Sequence, residues 1–359
     1  MEQDFPTTEF KTLGHQDPQF EAYLLGTFSK ERMAVPVRTL NVRSLKEEVT
    51  FELIDKKNIK SPAFALVLLK LLRPQTLTFS VGTIVVAYST ALKLHLPIEL
   101  GLSLMTLSAV LFFHAAINLL NDFYDHMKGH DRMNPNGGSR VIQRAWISAH
   151  LVQKLGFGFL FLSLLLGIPV VLQHSSVVIA LAIVSGLAGL EFSTHKLGFK
   201  NLGLGEYLVF FLTGPFLTCG FIWATSGVFS WQMIFLGLVF GFVSLFFYHV
   251  SNIENILTDA QGGRRTWAVF LGIDRSKQML WVLAGLVSLS YFSFVLSLSD
   301  KRSTLIFSLL FLIIAANMIL ICLRANQSNS PLSSDLESLR HRSLRLHWLM
   351  IGCMIVALT

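Results

Sequence analysis

Charge is what this sequence has least of. Asp, Glu, Lys and Arg make up 14% of 359 residues, while 52% are hydrophobic and the mean hydropathy is +0.57. An ordinary soluble domain carries about 25% charged residues, so the deficit excludes that class and points to membrane spans. Cysteine is scarce as well. Cys219, Cys322 and Cys353 all lie in apolar stretches, are odd in number and lack metal-ligand spacing, which argues against a disulfide framework or a zinc site. There is no G-x-x-x-x-G-K-[ST] and no G-x-G-x-x-G between a strand and a helix, so nucleotide binding is a poor fit. No serine-nucleophile constellation stands out. The start, MEQDFPTTEF, is acidic, has no apolar core and is not read as a secretory signal. The net charge of +7 is spread over short links between apolar runs, which favours a membrane surface and argues against nucleic acid.

The apolar runs are what is there. A hydrocarbon core of ~30 Å takes about 20 residues of helix. About nine candidates of that kind occur, near 75–94, 98–120, 151–173, 176–192, 204–226, 231–250, 276–298, 303–323 and 342–358. The expected fold is therefore all-α: a polytopic membrane bundle over 61–359, preceded by a cytosolic extension, 1–60. Within that extension VPVRTLNVRS alternates like a strand, and SPAFALVLLKLL (61–72) has the pattern of an amphipathic helix lying at the interface. Lys128, Arg132, Arg140 and Arg144 follow the second run, Lys196 and Lys200 the fourth, and Arg264, Arg265, Arg275 and Lys277 the sixth; Arg324, Arg340, Arg342 and Arg345 follow the eighth. The alternate links are poorer in Lys and Arg, Lys301 and Arg302 being the exception. The positive-inside rule then puts the N-terminus and the basic links in the cytoplasm; the expected location is a bacterial inner membrane.

Two of those links begin with acids. NLLNDFYDHMKGHD (118–131) closes the second run, and Asn118, Asn121, Asp122 and Asp125 recur at helical spacing on one face. Carboxylates that close repel one another unless a cation binds. Oxygen-only donors suit a hard ion such as Mg²⁺, which binds through one or two carboxylates plus substrate phosphates. The alternative is a solvated helix end. Gly137, Gly138, Arg140 and Arg144 follow, a combination able to meet phosphate through N–H groups and guanidinium. After the sixth run, Asn252, Asn255 and Asp259 repeat the spacing and lead into Gly262, Gly263, Arg264 and Arg265. Two such ends in matching topological positions are harder to assign to chance than one. Paired acidic sites of this kind can hold metal ions around a diphosphate. Acids within membranes also mark transport pathways, but these lie at helix ends, not mid-span. A non-enzymatic transporter or scaffold is the reading from a different class.

These motifs resemble those of the UbiA superfamily of intramembrane prenyltransferases, over about 70–330. NDFYDHMKGHD (121–131) is similar to the N-D-x-x-D-x-x-x-G-x-D form of its MenA branch. LLRPQTL (71–77), GGSRVI (137–142), KNLGLGEYLVFFLTGP (200–215) and DAQGGRRTWAVFLG (259–272) are further similarities. The resemblance implies a bundle of nine helices and Mg²⁺-dependent transfer of a polyprenyl group from its diphosphate to an aromatic acceptor. For this branch the acceptor is 1,4-dihydroxy-2-naphthoate, with loss of CO₂ in menaquinone biosynthesis; 4-hydroxybenzoate is the acceptor of another branch. It implies that Asn118, Asn121, Asp122 and Asp125 hold one metal and Asn252, Asn255 and Asp259 the other, with Asp122, Asp125 and Asp259 as the catalytic carboxylates. Lys128, Arg140, Lys196 and Arg264 are the expected diphosphate contacts. Asp131 is a further metal-ligand candidate, otherwise a cap of the link. Arg73 is a candidate for the acceptor carboxylate, otherwise a positive-inside anchor. His114 is read as a packed polar residue. Two departures stand out: Asn255 occupies the place of an Asp and Ser251 that of an Asn, and Phe192 lies where the branch carries a Tyr.

Overall fold

The computed structural model describes residues 9–134, 137–173, 176–192, 198–298, 300–328 and 334–359, with side chains in the last stretch described from 338. They group into two compact units. One holds 9–74 and 115–160; the other holds 75–114, 161–192 and the residues from 198 onward.

In the first unit, β1 (Glu9–Gly14) leads to α1 (Phe20–Leu25), then β2 (Arg32–Leu40) and β3 (Glu48–Asp55). The sheet is antiparallel in the order β1-β3-β2. The alternation expected in VPVRTLNVRS is thus largely β2, and it lies at a sheet edge. Edge strands are where proline is tolerated, since it gives no N–H to a ladder. The register of β2 shifts between Pro36 and Arg38. Val49 and Phe51, two apart on β3, share one face and form a small core with Leu13, Phe20, Tyr23 and Leu24. The helix α2 (Phe64–Leu72) buries Val67 and Leu71 while Phe64, Leu66 and Leu69 stay exposed, the pattern read in 61–72. It stops at Arg73, whose φ is +50°. Arg73 precedes Pro74, and a residue before proline is sterically pushed out of the right-handed helical region. Pro74 opens α3 (Pro74–Lys93). The first unit also takes in the end of α4 (Leu100–Met127), the short α5 (His130–Met133) and the start of α6 (Ala149–Leu172). Val67, Leu71, Leu119, Phe123, Val141 and Val152 pack together there.

The second unit adds α7 (Ser176–Glu191), α8 (Gly205–Thr213), α9 (Pro215–Ser226), α10 (Trp231–Glu254), α11 (Ile256–Gln261), α12 (Trp267–Ser297), α13 (Lys301–Gln327) and α14 (Ser334–Leu358). The core surrounds α10, which packs on α8, α9, α12 and α14. Glycine permits the closest approach. A Cβ at Gly237 would lie 2.6 Å from Pro215 Cα, and one at Gly214 would lie 2.6 Å from Gly241 Cα. Larger residues there would separate α10 from the α8–α9 junction. Two caps set helix starts in the usual way: Thr266 Oγ1 accepts from Val269 N, and Asp300 Oδ1 from Arg302 N.

Each of the nine expected spans coincides with described helix. Among the described residues, six helical stretches are long and apolar enough to cross a membrane: α4, α6, the α8–α9 pair, α10, α12 and α13. The bent pair α2–α3 makes up to seven. Helix α7 has only 16 residues. Helix α14 contains Arg340, Arg342 and Arg345 and does not qualify. The count of nine crossings is therefore not reproduced by length and composition, although the helices are in place. Only 17% of the most apolar window of α6 is buried, so its Phe161, Leu164, Leu165 and Ile168 expose a continuous apolar surface. A helix satisfies its own backbone and tolerates such exposure in hydrocarbon, as expected of an integral membrane protein.

Candidate active site

In the first unit, Asn118, Asp122 and Asp125 lie along the last turns of α4 and are all buried, with Asn121 on the edge of the same face. Their i, i+4, i+7 spacing does what the helical period requires. Asp122, 2% exposed, pairs with Arg73 through Oδ1, and its Oδ2 accepts from Ser139 N at 3.1 Å. Asn118 Nδ2 donates to Leu72 O at 2.9 Å. That carbonyl belongs to the last turn of α2, where helix geometry leaves carbonyls without intrahelical donors. The acidic helix end is thereby tied to the α2 terminus by one amide and one ion pair. Arg73, a candidate for the acceptor, is found on Asp122.

Asp131 lies on α5 and is 3% exposed. The link that follows folds back over both acids. A Cβ on Gly137 would stand 2.8 Å from Asp131 Oδ1. One on Gly138 would stand 3.0 Å from Asp122 Oδ1 and 3.1 Å from Arg73 Nη2, and would also meet Asp131 Oδ2. Gly138 also has φ +61°. Glycine there meets two demands at once, a left-handed backbone and passage beside two carboxylates. Arg140 holds this loop from within, its Nη1 donating to Asp131 O and, at 2.8 Å, to Asn134 O. Burial draws Arg140 below the usual guanidinium value, with the Asp131 charge opposing the shift. Lys128 Nζ lies 5.9 Å from the centre of the Tyr124 ring.

The second motif lies within the second unit. Asn252 and Asp259 are buried, and Asn255 marks the break between α10 and α11. Asn255 Nδ2 donates to Ser251 O at 2.8 Å, and Thr258 Oγ1 donates to Asn255 O at 2.9 Å. Asp259 Oδ1 accepts from Arg264 Nη1 at 3.2 Å, and Arg264 N returns to Asp259 O at 2.8 Å. Lys200 is buried with its Nζ 5.7 Å from the Phe192 ring centre, and Lys196 lies outside the described residues. His114 Nδ1 meets Ser80 Oγ at 2.8 Å, within the packed polar reading given to it.

One residue of this site went unread in the sequence. Glu206, with 0% exposure, uses Oε1 to accept both Asn252 Nδ2 at 2.9 Å and Trp267 N at 2.7 Å. It joins the first turn of α8, the second motif and the first residue of α12. The signal was present: a lone carboxylate opening an apolar run is costly unless partnered.

Among the described residues, no three or more His, Cys, Asp or Glu side chains form a metal-holding group. The oxygen donors do suit a hard cation that needs only one or two carboxylates. Asp122 and Asp131 both border the place a Cβ on Gly138 would take, a cradle that any side chain at that position would fill.

The UbiA prenyltransferase family profile matches residues 65–339. Relatives include the 1,4-dihydroxy-2-naphthoate octaprenyltransferase of Haemophilus influenzae, 26% identical over 212 residues, covering 57% of this chain and 68% of the relative. The UbiA prenyltransferase domain-containing protein 1 of Dictyostelium discoideum is 22% identical over 273 residues, covering 74% and 82%. Among solved structures, the Archaeoglobus fulgidus UbiA homolog bound to DMAPP and Mg²⁺ aligns with a TM-score of 0.56 at 16% identity, over 81% of this chain and 98% of that one. The apo UbiA homolog of Aeropyrum pernix K1 aligns at 0.59 and 17% identity, over 77% and 96%. These structures share the fold. With the family profile spanning most of its length, the chain belongs to the UbiA prenyltransferase family and is an enzyme of that class.

Proposed function

We propose that this enzyme transfers a polyprenyl group from a prenyl diphosphate to 1,4-dihydroxy-2-naphthoate with loss of CO₂, in menaquinone biosynthesis. The observation that carries the reading is the complete NDFYDHMKGHD motif, whose Asp122 and Asp131 carboxylates both border the space beside Gly138 that a Cβ would fill. Relatives named for this reaction support the choice of acceptor.

In this mechanism Asn118, Asn121, Asp122, Asp125 and Asp131 would hold one Mg²⁺, and Asn252, Asn255 and Asp259 would hold the other. Bound Mg²⁺ supplies positive charge against the diphosphate oxygens. Asn255 contributes an amide oxygen and no charge, so the second position is the weaker. Arg140, Lys128, Lys196 and Arg264 add charge to the leaving group. Arg73 and Ser139 N–H fix the Asp122 carboxylate. Glu206 fixes the Asn252 amide. As the allylic C–O bond breaks, its electron pair leaves with the diphosphate. The ring carbon bearing the carboxylate attacks the allylic carbon, and that carboxylate then departs as CO₂, returning its electrons to the ring. The apolar bundle houses the prenyl tail and excludes water from the cation. The Lys- and Arg-rich links support a cytoplasmic side for the motifs and the N-terminus, in a bacterial inner membrane on this reading.

The test is a panel of acceptors with purified protein, Mg²⁺ and a prenyl diphosphate. Dihydroxynaphthoate should be prenylated, and Asp122→Ala should abolish turnover. Turnover with 4-hydroxybenzoate alone would replace the acceptor, and no turnover with any aromatic acceptor would remove the reading.

A further inference from the structure

The family profile begins at residue 65, so the β-sheet unit before it lies outside the catalytic fold that the profile describes. We propose that residues 9–60 are a built-in brace that positions the first acidic cluster, acting through the Glu47–Arg132 pair. The proposal rests on the reading of that cluster as a metal–diphosphate site.

The hairpin between β2 and β3 is made to present one carboxylate. Asn41 and Arg43 take φ of +51° and +62°. Asn41 Nδ2 ties to Lys46 O at 3.2 Å, and Glu47 N to Ser44 O at 3.0 Å. Glu47 Oε2 accepts from Arg43 N at 3.3 Å, which leaves Oε1 directed to Arg132 Nη2 at 2.6 Å. The two side chains are 7% and 1% exposed. Arg132 Nη2 also reaches Met127 O, in the last turn of α4, at 3.3 Å.

Arg132 is the residue after Asp131, on the same short helix. Its guanidinium therefore ties α5 to Glu47, and Arg140 separately holds Asp131 O and Asn134 O. Two further contacts join residues 9–60 to this corner. Gly129, at φ +87°, passes so close to Val42 that a Cβ would stand 2.7 Å from Val42 Cγ1. His126, the neighbour of Asp125, meets Leu24 O through Nε2 at 3.1 Å and Gln143 Nε2 through Nδ1 at 3.2 Å. Both ends of the segment carrying Asp125 and Asp131 are thus pinned to residues 24–47. A four-residue helix has little stability of its own, because nucleating a turn costs more backbone entropy than its first hydrogen bond returns. External contacts must hold it. Glu47 and Arg132 are positioning residues in this account; neither touches the diphosphate.

The test uses full-length protein in nanodiscs, with Glu47→Gln, Glu47→Ala and Arg132→Lys, and with Arg32→Ala as a control that breaks an exposed pair of the same sheet. One readout is Mn²⁺ affinity in the presence of inorganic diphosphate. A second is hydrogen exchange across 127–134, and the third is kcat and KM for prenyl diphosphate. Glu47→Gln and Glu47→Ala should weaken Mn²⁺ binding about 10–100-fold, the scale set by losing a partner behind a metal ligand, and should speed exchange in 127–134. Arg132→Lys keeps the charge and should recover part of the loss, and Arg32→Ala should match wild type. Should Glu47→Ala fail to fold, Glu47→Gln and Arg132→Lys still decide. Unchanged Mn²⁺ affinity and exchange in folded Glu47→Gln would overturn the brace. A wild type that binds Mn²⁺ and loses it in Glu47→Gln, yet prenylates nothing, would overturn the reaction and keep the brace. Where wild type binds no Mn²⁺, the exchange rates decide.

Discussion

Removing the carboxylate of Glu206 isolates the contribution of one buried acceptor. In Glu206→Ala, Asn252 Nδ2 and Trp267 N both lose the oxygen they share. A buried donor left unsatisfied costs ~1–3 kcal/mol. Measured side-chain hydrogen bonds in membrane proteins are weaker, about 0.6 kcal/mol on average. The expected loss for the two donors is therefore about 2–4 kcal/mol. Glu206→Gln retains a carbonyl oxygen at the same reach and replaces the second carboxyl oxygen by an amide NH₂, at a cost of about 1 kcal/mol. Thermal unfolding in detergent reads the order directly, with wild type above Gln and Gln above Ala, separated by about 2–4 °C per kcal/mol. Activity should follow the same order, because Asn252 belongs to the second motif and loses its orientation along with the bond. An Ala variant that melts and turns over like wild type would refute the reasoning. A Gln variant as damaged as Ala would show that one carbonyl oxygen at this position does not suffice.

Two more substitutions address the acidic motifs. Asn255→Asp adds the charge this chain lacks and gives up the bond to Ser251 O; half-saturating Mg²⁺ should fall about 5–10-fold, equivalent to roughly 1–1.4 kcal/mol, and a titration showing no change would separate Asn255 from the metal. Gly138→Ala places a methyl group against Asp122 and Arg73 at a left-handed position costing ~1–2 kcal/mol; initial rates should drop at least about tenfold, as for ~1.4 kcal/mol of transition-state stabilisation, while the melting temperature moves only a few degrees.

Long-range pairing is the part of this protein that local pattern does not carry. The spans were legible because about 20 apolar residues in a row have few other uses. The face shared by Asn118, Asp122 and Asp125 followed from helical period alone. Period does not say which carbonyl Asn118 caps, or that Arg73 meets Asp122 across 49 positions of chain. Glu206 was overlooked for the same reason: its two partners come from residues 252 and 267. The β2 alternation was visible, but not that its hairpin delivers Glu47 to Arg132. Helices α7 and α14 were read as crossings from apolar content, and length in one and arginines in the other keep them from meeting that standard.

Decarboxylative prenyl transfer fixes a stoichiometry that can be measured. Purified protein is given prenyl diphosphate, Mg²⁺ and dihydroxynaphthoate labelled in its carboxyl carbon, and released diphosphate and labelled CO₂ are measured together. Equal amounts of the two should appear, rising in parallel and both absent in Asp122→Ala. Diphosphate released without CO₂, or at the same rate in the absence of acceptor, would contradict it.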